Sequence, residues 1–219
     1  MGQYDKIVEQ LKASAVELAE EGLNFYECVA LLNKAKAKNI NGFVQFNGMK
    51  MYSLFDSEDD CYKRVYGKTK AEYDDYMKNL QKQVKRESEE SVDSFKKALP
   101  ELLEKGDKLI HYPQRKKEWR EMLEFQGTLP YPALDAFEGC VGVLEKLEAG
   151  NNPDEVFGQI MTLSQVEREN ILQLVALYHK DGPALVKKYF PETKEFWGKR
   201  FEKIEAENAT FQSQPGAPV

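Results

Sequence analysis

Histidine is scarce in this 219-residue chain, which has two, His111 and His179. That sharply limits histidine-based mechanisms, and no GxSxG or similar nucleophile motif accompanies either residue. His111, in Ile110-His111-Tyr112-Pro113, reads as a polar residue ahead of a helix. His179 reads as a residue favoured at a helix C-terminus by the dipole. Cysteine is almost as rare. Cys28, Cys61 and Cys140 are odd in number, far apart and without CxxC spacing. They fit small core residues in a reducing cytoplasm, and argue against a disulfide frame or a zinc site. No run approaches the roughly 18 apolar residues of a spanning helix, and acids occur throughout the first 25 residues, unlike a signal peptide. The expectation is a cytoplasmic protein starting at Met1, with no membrane partner. Positive charge is also in deficit, 31 basic against 37 acidic residues for a net charge of -6, and neither half of the chain is basic. This argues against nucleic acid as a partner. A phosphate cradle is missing as well: Gly67-Lys68-Thr69 echoes the end of a P-loop, but position 62 is Tyr62 and no strand leads in.

What the chain does have is charge and helical periodicity. Charged residues make up 31% and apolar ones 42%, with a mean hydropathy of -0.62, a pairing that suits long solvent-washed helices. Ile7, Val8, Leu11, Ala15 and Leu18 predict a helix over residues 4–21 ended by Gly22. Capping pairs Asn24/Glu27, Ser57/Asp60, Thr69/Glu72 and Ser164/Glu167, with Asn152 ahead of Pro153, mark further helix starts. Phe43 to Phe46 and Met49 to Tyr52 alternate around Asn47-Gly48, the dipeptide of a type I′ hairpin turn. From Tyr73 the stripe Met77, Leu80, Val84 gives way to a polar stretch at residues 85–91. It resumes at Val92, Phe95, Leu99 and Leu102 shifted in phase by one residue, which predicts one long helix solvated in its middle, with a helix-loop-helix break as the alternative. Phe196, Trp197, Phe201 and Ile204 predict the buried face of a last helix. The fold expected is mainly α, a multi-helix bundle of about seven to nine helices with one small β-hairpin near residues 42–53. Leu129-Pro130-Tyr131-Pro132 is a stiff connector. It suggests a division into residues 1–128, carrying the hairpin and long helix, and a compact helical 129–210, with a single domain as the alternative. Residues 211–219 read as a disordered tail.

The segments Asn41-Gly42-Phe43-Val44-Gln45-Phe46-Asn47-Gly48, Tyr52-Ser53 and Tyr66-Gly67-Lys68-Thr69-Lys70-Ala71-Glu72, with a leucine helix at residues 144–156, resemble a family of bacterial proteins carried on phages and other mobile elements. The resemblance covers about half the chain. Its motifs are turns, caps and apolar positions, so it implies a bacterial or phage origin and no activity, cofactor or site residue.

Function then rests on surfaces. A two-stranded hairpin is not stable alone, so its apolar side chains must pack on helices, on a ligand or on another chain. Phe43, Phe46, Met49 and Tyr52 are the candidate interaction residues. Trp119 joins them, amid Arg115, Lys116, Lys117 and Arg120, although Glu118, Glu121 and Glu124 interleave and fit a solvated helix face. The reading is a non-enzymatic protein-interaction module that takes a protein partner or a second copy, with no catalytic residue and no cofactor. The alternative is a Mg²⁺-dependent all-α hydrolase, for which Glu17, Glu20 and Glu21, with Glu118 and Glu121, have ligand-like spacing.

Overall fold

A computed structural model describes residues 2–19 and 22–212, without the side chains of Gln3, residues 193–197 and Gln212. Among the described residues, ten helices and a three-stranded sheet make the fold mainly α. The chain divides into two compact units, residues 1–84 and 85–219.

In the first unit, α1 (Gln3–Ala13) stops eight residues earlier than its periodicity predicts. The Asn41 side-chain amide donates to Leu11 O at 2.8 Å, and the Ser14 hydroxyl donates to the same carbonyl at 2.9 Å. The backbone is thereby released to pair elsewhere. β1 (Val16–Glu17) runs parallel to β2 (Gly42–Phe46), with Val16 N donating to Asn41 O and Leu18 N to Phe43 O. Leu18 lies so close over Gly42 that no Cβ fits there. β2 turns through Asn47 and Gly48, at φ 48° and 78°, into the antiparallel β3 (Met49–Tyr52), as the Asn-Gly signal requires. Ser53 Oγ closes the open end by accepting from Gly42 N and donating to Ile40 O. Val44 and Met51 bury one sheet face against Phe25, Cys28, Val29 and Leu32 of α2 (Phe25–Ala37) and Cys61 and Tyr62 of α3 (Glu58–Tyr66). Both helices start in the predicted capping boxes, and Gly67 closes α3 at φ 68°.

α4 (Lys70–Leu109) is a single helix of 40 residues that continues through Pro100 and passes from the first unit into the second. Its stripe does not slip. Val84 and Phe95 are eleven residues apart, about three turns, so they share one face. Ser88 fills the gap on that face, where its hydroxyl donates to Pro130 O at 2.8 Å. Around it, residues 85–87, 89 and 90 are exposed.

The second unit gathers Phe95 and Leu102 of α4 into one core with α5 (Pro113–Gln126), α6 (Leu134–Glu148), α7 (Pro153–Ile160), α8 (Gln165–Tyr178), α9 (Gly182–Tyr189) and α10 (Thr193–Gln212). The Leu129–Pro132 connector therefore lies inside this unit, and the division falls within α4 at Val84/Lys85. The prolines stiffen that connector, but Phe95, Leu102, Trp119 and Leu123 before it and Phe137, Val141 and Leu144 after it share one core. Phe201 and Ile204 are buried as predicted, while the side chains of Phe196 and Trp197 lie outside the described residues, as does the tail from residue 213. Phe211 belongs to α10 and not to the tail: its ring centroid is 5.8 Å from that of Tyr112.

Candidate functional site

Strand alternation sends the hairpin's aromatic residues to two faces. Phe46 and Met49 oppose each other on the core side, where Phe46 packs edge-on to Phe25 at 5.6 Å. Phe43 and Tyr52 pair on the outer side, with ring centroids 6.0 Å apart. Lysines partly cover this outer face: the Lys50 ammonium stands 4.3 Å from the Phe43 ring and that of Lys12 stands 5.7 Å from Tyr52. The second contact brings the end of the Lys12 side chain, from the last turn of α1, over the outer face. Of the predicted interaction residues, then, Phe43 and Tyr52 share one half-buried surface, Phe46 packs against the core, and Met49 is half-buried beside it on the same face. Trp119 does not belong with them. It is 0% exposed in the core of the second unit, its Nε1–H donates to Leu102 O at 3.0 Å, and its ring lies against Phe137 and Tyr178 where Gly106 leaves room.

Two apolar surfaces of the first unit escape the sequence reading. Tyr4, Ile7 and Leu11, at i, i+3 and i+7, form one face of α1, and they are 78%, 48% and 42% exposed. The spacing was visible, but amphipathic periodicity by itself predicts burial against the body. The second surface is a tyrosine cluster around Phe25, in which Tyr66 and Tyr73 stack at 4.3 Å and Tyr62 meets Phe25 edge-on at 4.9 Å. Tyr26 and Tyr76 are exposed at its margin. A hydrogen bond with Tyr73 raises the Tyr26 hydroxyl above its ordinary pKa.

The candidates for chemistry resolve into structural roles. His111 Nε2 lies 2.8 Å from Glu148 Oε1. Burial pushes the Glu148 carboxyl up, but the His111 hydrogen bond and neighbouring positive charge outweigh it and leave the pKa lowered. His179 is buried, its Nδ1 accepts from Asp181 N at 3.1 Å, and burial lowers its pKa. All three cysteines are free and buried. Burial raises Cys28, pushes Cys61 up to about 11 and raises Cys140 further, so they are held as thiols and not as nucleophilic thiolates.

Among the hydrolase carboxylates, Glu118 is 2.6 Å from Arg115 and Glu121 is 3.7 Å from Lys117. Glu17 is exposed on β1, and Glu20 and Glu21 lie outside the described residues. No group of three side chains able to hold a metal occurs among the described residues. The basic cluster around Trp119 is a solvated face only in part. Arg120 pairs with Asp107 across the surface, whereas Arg115 is 2% exposed and bonded to Glu118, Glu207 and Asn208. No helix of the described residues is long and apolar enough to cross a membrane. Comparison of the chain with protein families, with curated proteins and with solved structures finds no match.

Proposed function

We propose that the chain is a non-enzymatic interaction protein whose first unit engages a protein partner through α1 and the adjoining outer sheet face. The observation that carries this reading is the open apolar face of α1, Tyr4, Ile7 and Leu11. Exposing such a stripe costs solubility and contributes nothing to the body's core, whereas helix-in-groove recognition uses anchors at this spacing. Asn41 and the β1–β2 pairing fix the base of α1, so the helix is presented at a defined place beside Phe43 and Tyr52. Three buried free thiols support a reducing compartment, in keeping with a cytoplasmic partner. The hydrolase alternative has less support, since Glu118 and Glu121 are engaged by cations of their own helix.

The test compares capture from a native lysate by the wild-type chain and by an Ile7→Asp/Leu11→Asp variant, with thermal melts of both. Loss of a captured protein, or of self-association, with an unchanged melt supports the reading. Unchanged capture and oligomeric state refute it, and so does a melt lowered by several degrees, which would mean that the face is packed.

A further inference from the structure

We propose that the second unit contains a binding site for a small organic cation with an apolar body. The site is a half-open cavity of about 660 Å³, walled by α4, the start of α6 and the start of α8. This volume lies within the range of small-molecule pockets, and the lining is mixed: Leu134, Leu163 and Ile171 are apolar, while Ser91, Ser94 and Asn170 add neutral polar groups beside the two acids. Ile171 packs onto the bare backbone of Gly139, where no Cβ fits, and with Ala136 it forms the floor.

The rim decides the sign of the ligand. Asp135 and Glu167 line it, and no lysine, arginine or histidine does. Each acid lies in the first turn of a helix, and each helix start contributes about half a positive charge, so two carboxylates outweigh two dipoles by roughly one unit. The acids are not equally engaged. Glu167 Oε2 accepts from Ser164 N at 3.1 Å and from Ser164 Oγ at 2.6 Å, which commits one oxygen to the cap of α8. Asp135 has no hydrogen-bond or ion-pair partner among the described residues, and the N-cap of α6 is Ala133, whose side chain has nothing to offer. Glu27, Asp60 and Glu72 are spent on capping boxes, whereas Asp135, like Asp154 and Glu155 of α7, is not, and what sets Asp135 apart is its place on the cavity lining. Asp135 is thus an exposed first-turn acid left with a carboxylate to give, on the lining of a cavity that also carries Leu134, Leu163 and Ile171, and an ammonium above an aromatic or branched aliphatic body complements both features.

The experiment uses three indole probes of one shape and different charge: tryptamine, tryptophol and indole-3-propionate. Binding to the full chain is followed by calorimetry and by saturation-transfer NMR. The cation is expected to bind more tightly than the neutral probe, and the anion not at all. Asp135→Asn should weaken tryptamine about fivefold, the scale of one partly exposed charge pair. Asp93→Asn, an exposed acid of α4 that does not line the cavity, should leave binding unchanged, which separates the site from general attraction to an acidic protein. Leu163→Arg places a positive charge at the rim and should abolish tryptamine binding. Absence of tryptamine binding, equal binding of all three probes, or equal effects of the Asp135 and Asp93 variants would overturn the proposal.

Discussion

Replacing Arg115 by alanine probes the tie between α5 and α10. The guanidinium is 2% exposed and donates to Glu118 Oε2 at 2.6 Å, to Glu207 Oε2 at 2.8 Å and to Asn208 Oδ1 at 3.2 and 3.3 Å, while Phe211 lies 5.4 Å over it. Removing it strands the buried Asn208 oxygen, which costs about 1–3 kcal/mol. The side chains of Glu118 and Glu207 are 30% and 37% exposed, so water replaces part of what they lose. This offsets part of the roughly 3–5 kcal/mol of a fully buried pair broken on one side, and with the lost packing of the arginine stem the total falls at the low end of that range. The expected destabilisation is about 3 kcal/mol, read from urea unfolding curves as a lower midpoint. Arg115→Lys should recover little, because an ammonium cannot reproduce the planar fork that reaches three partners. A loss below about 1 kcal/mol, or full recovery by lysine, would refute the reasoning.

Gly48→Val should destabilise the first unit by about 1–2 kcal/mol, since φ at 78° resists a β-branched residue while nothing nearby obstructs its side chain; an unchanged melt and strand signal would contradict the turn geometry. Phe95→Ala should cost about 3–5 kcal/mol, and Glu90→Ala, which loses a 3.6 Å surface contact with Arg86, less than about 0.5 kcal/mol; paired urea melts compare them. Because burial holds the pKa of His179 below its ordinary 6.5, the unfolded chain binds the extra proton first, so stability should fall as pH drops from 6.5 toward the folded value; His179→Asn should flatten that slope between pH 7.5 and 5.5.

Local chemistry was legible in the sequence wherever the partners are three or four residues apart. Asn24, Ser57, Thr69 and Ser164 each bond the acid three positions on, and Asn47-Gly48 needs only its own backbone to turn. Features set by distant partners were not legible. α1 ends at Ala13 because Asn41, 30 residues away from Leu11, takes its carbonyl, and Val16–Glu17 become a strand because β2 is there to pair. Trp119 sits among lysines and arginines in sequence, yet its burial depends on Gly106, Phe137 and Tyr178. The long helix carries one continuous stripe that looks broken only because Ser88 stands in an apolar position and bonds Pro130. The candidate surface was half visible. Phe43 and Tyr52 follow from alternation, but the open face of α1 has the same pattern as a buried one, and only packing distinguishes them.

The most direct test of the interaction surface is the labelling rate of a thiol placed on it. In an Ile7→Cys chain, the three native cysteines are buried and form a slow background, so maleimide modification reports position 7 alone. The account predicts labelling of the purified protein at the rate of a free exposed thiol, and clear protection of that site in native lysate where the partner is bound. Slow labelling of the purified chain, or a rate in lysate equal to that of an exposed control thiol placed at Lys85, would contradict it.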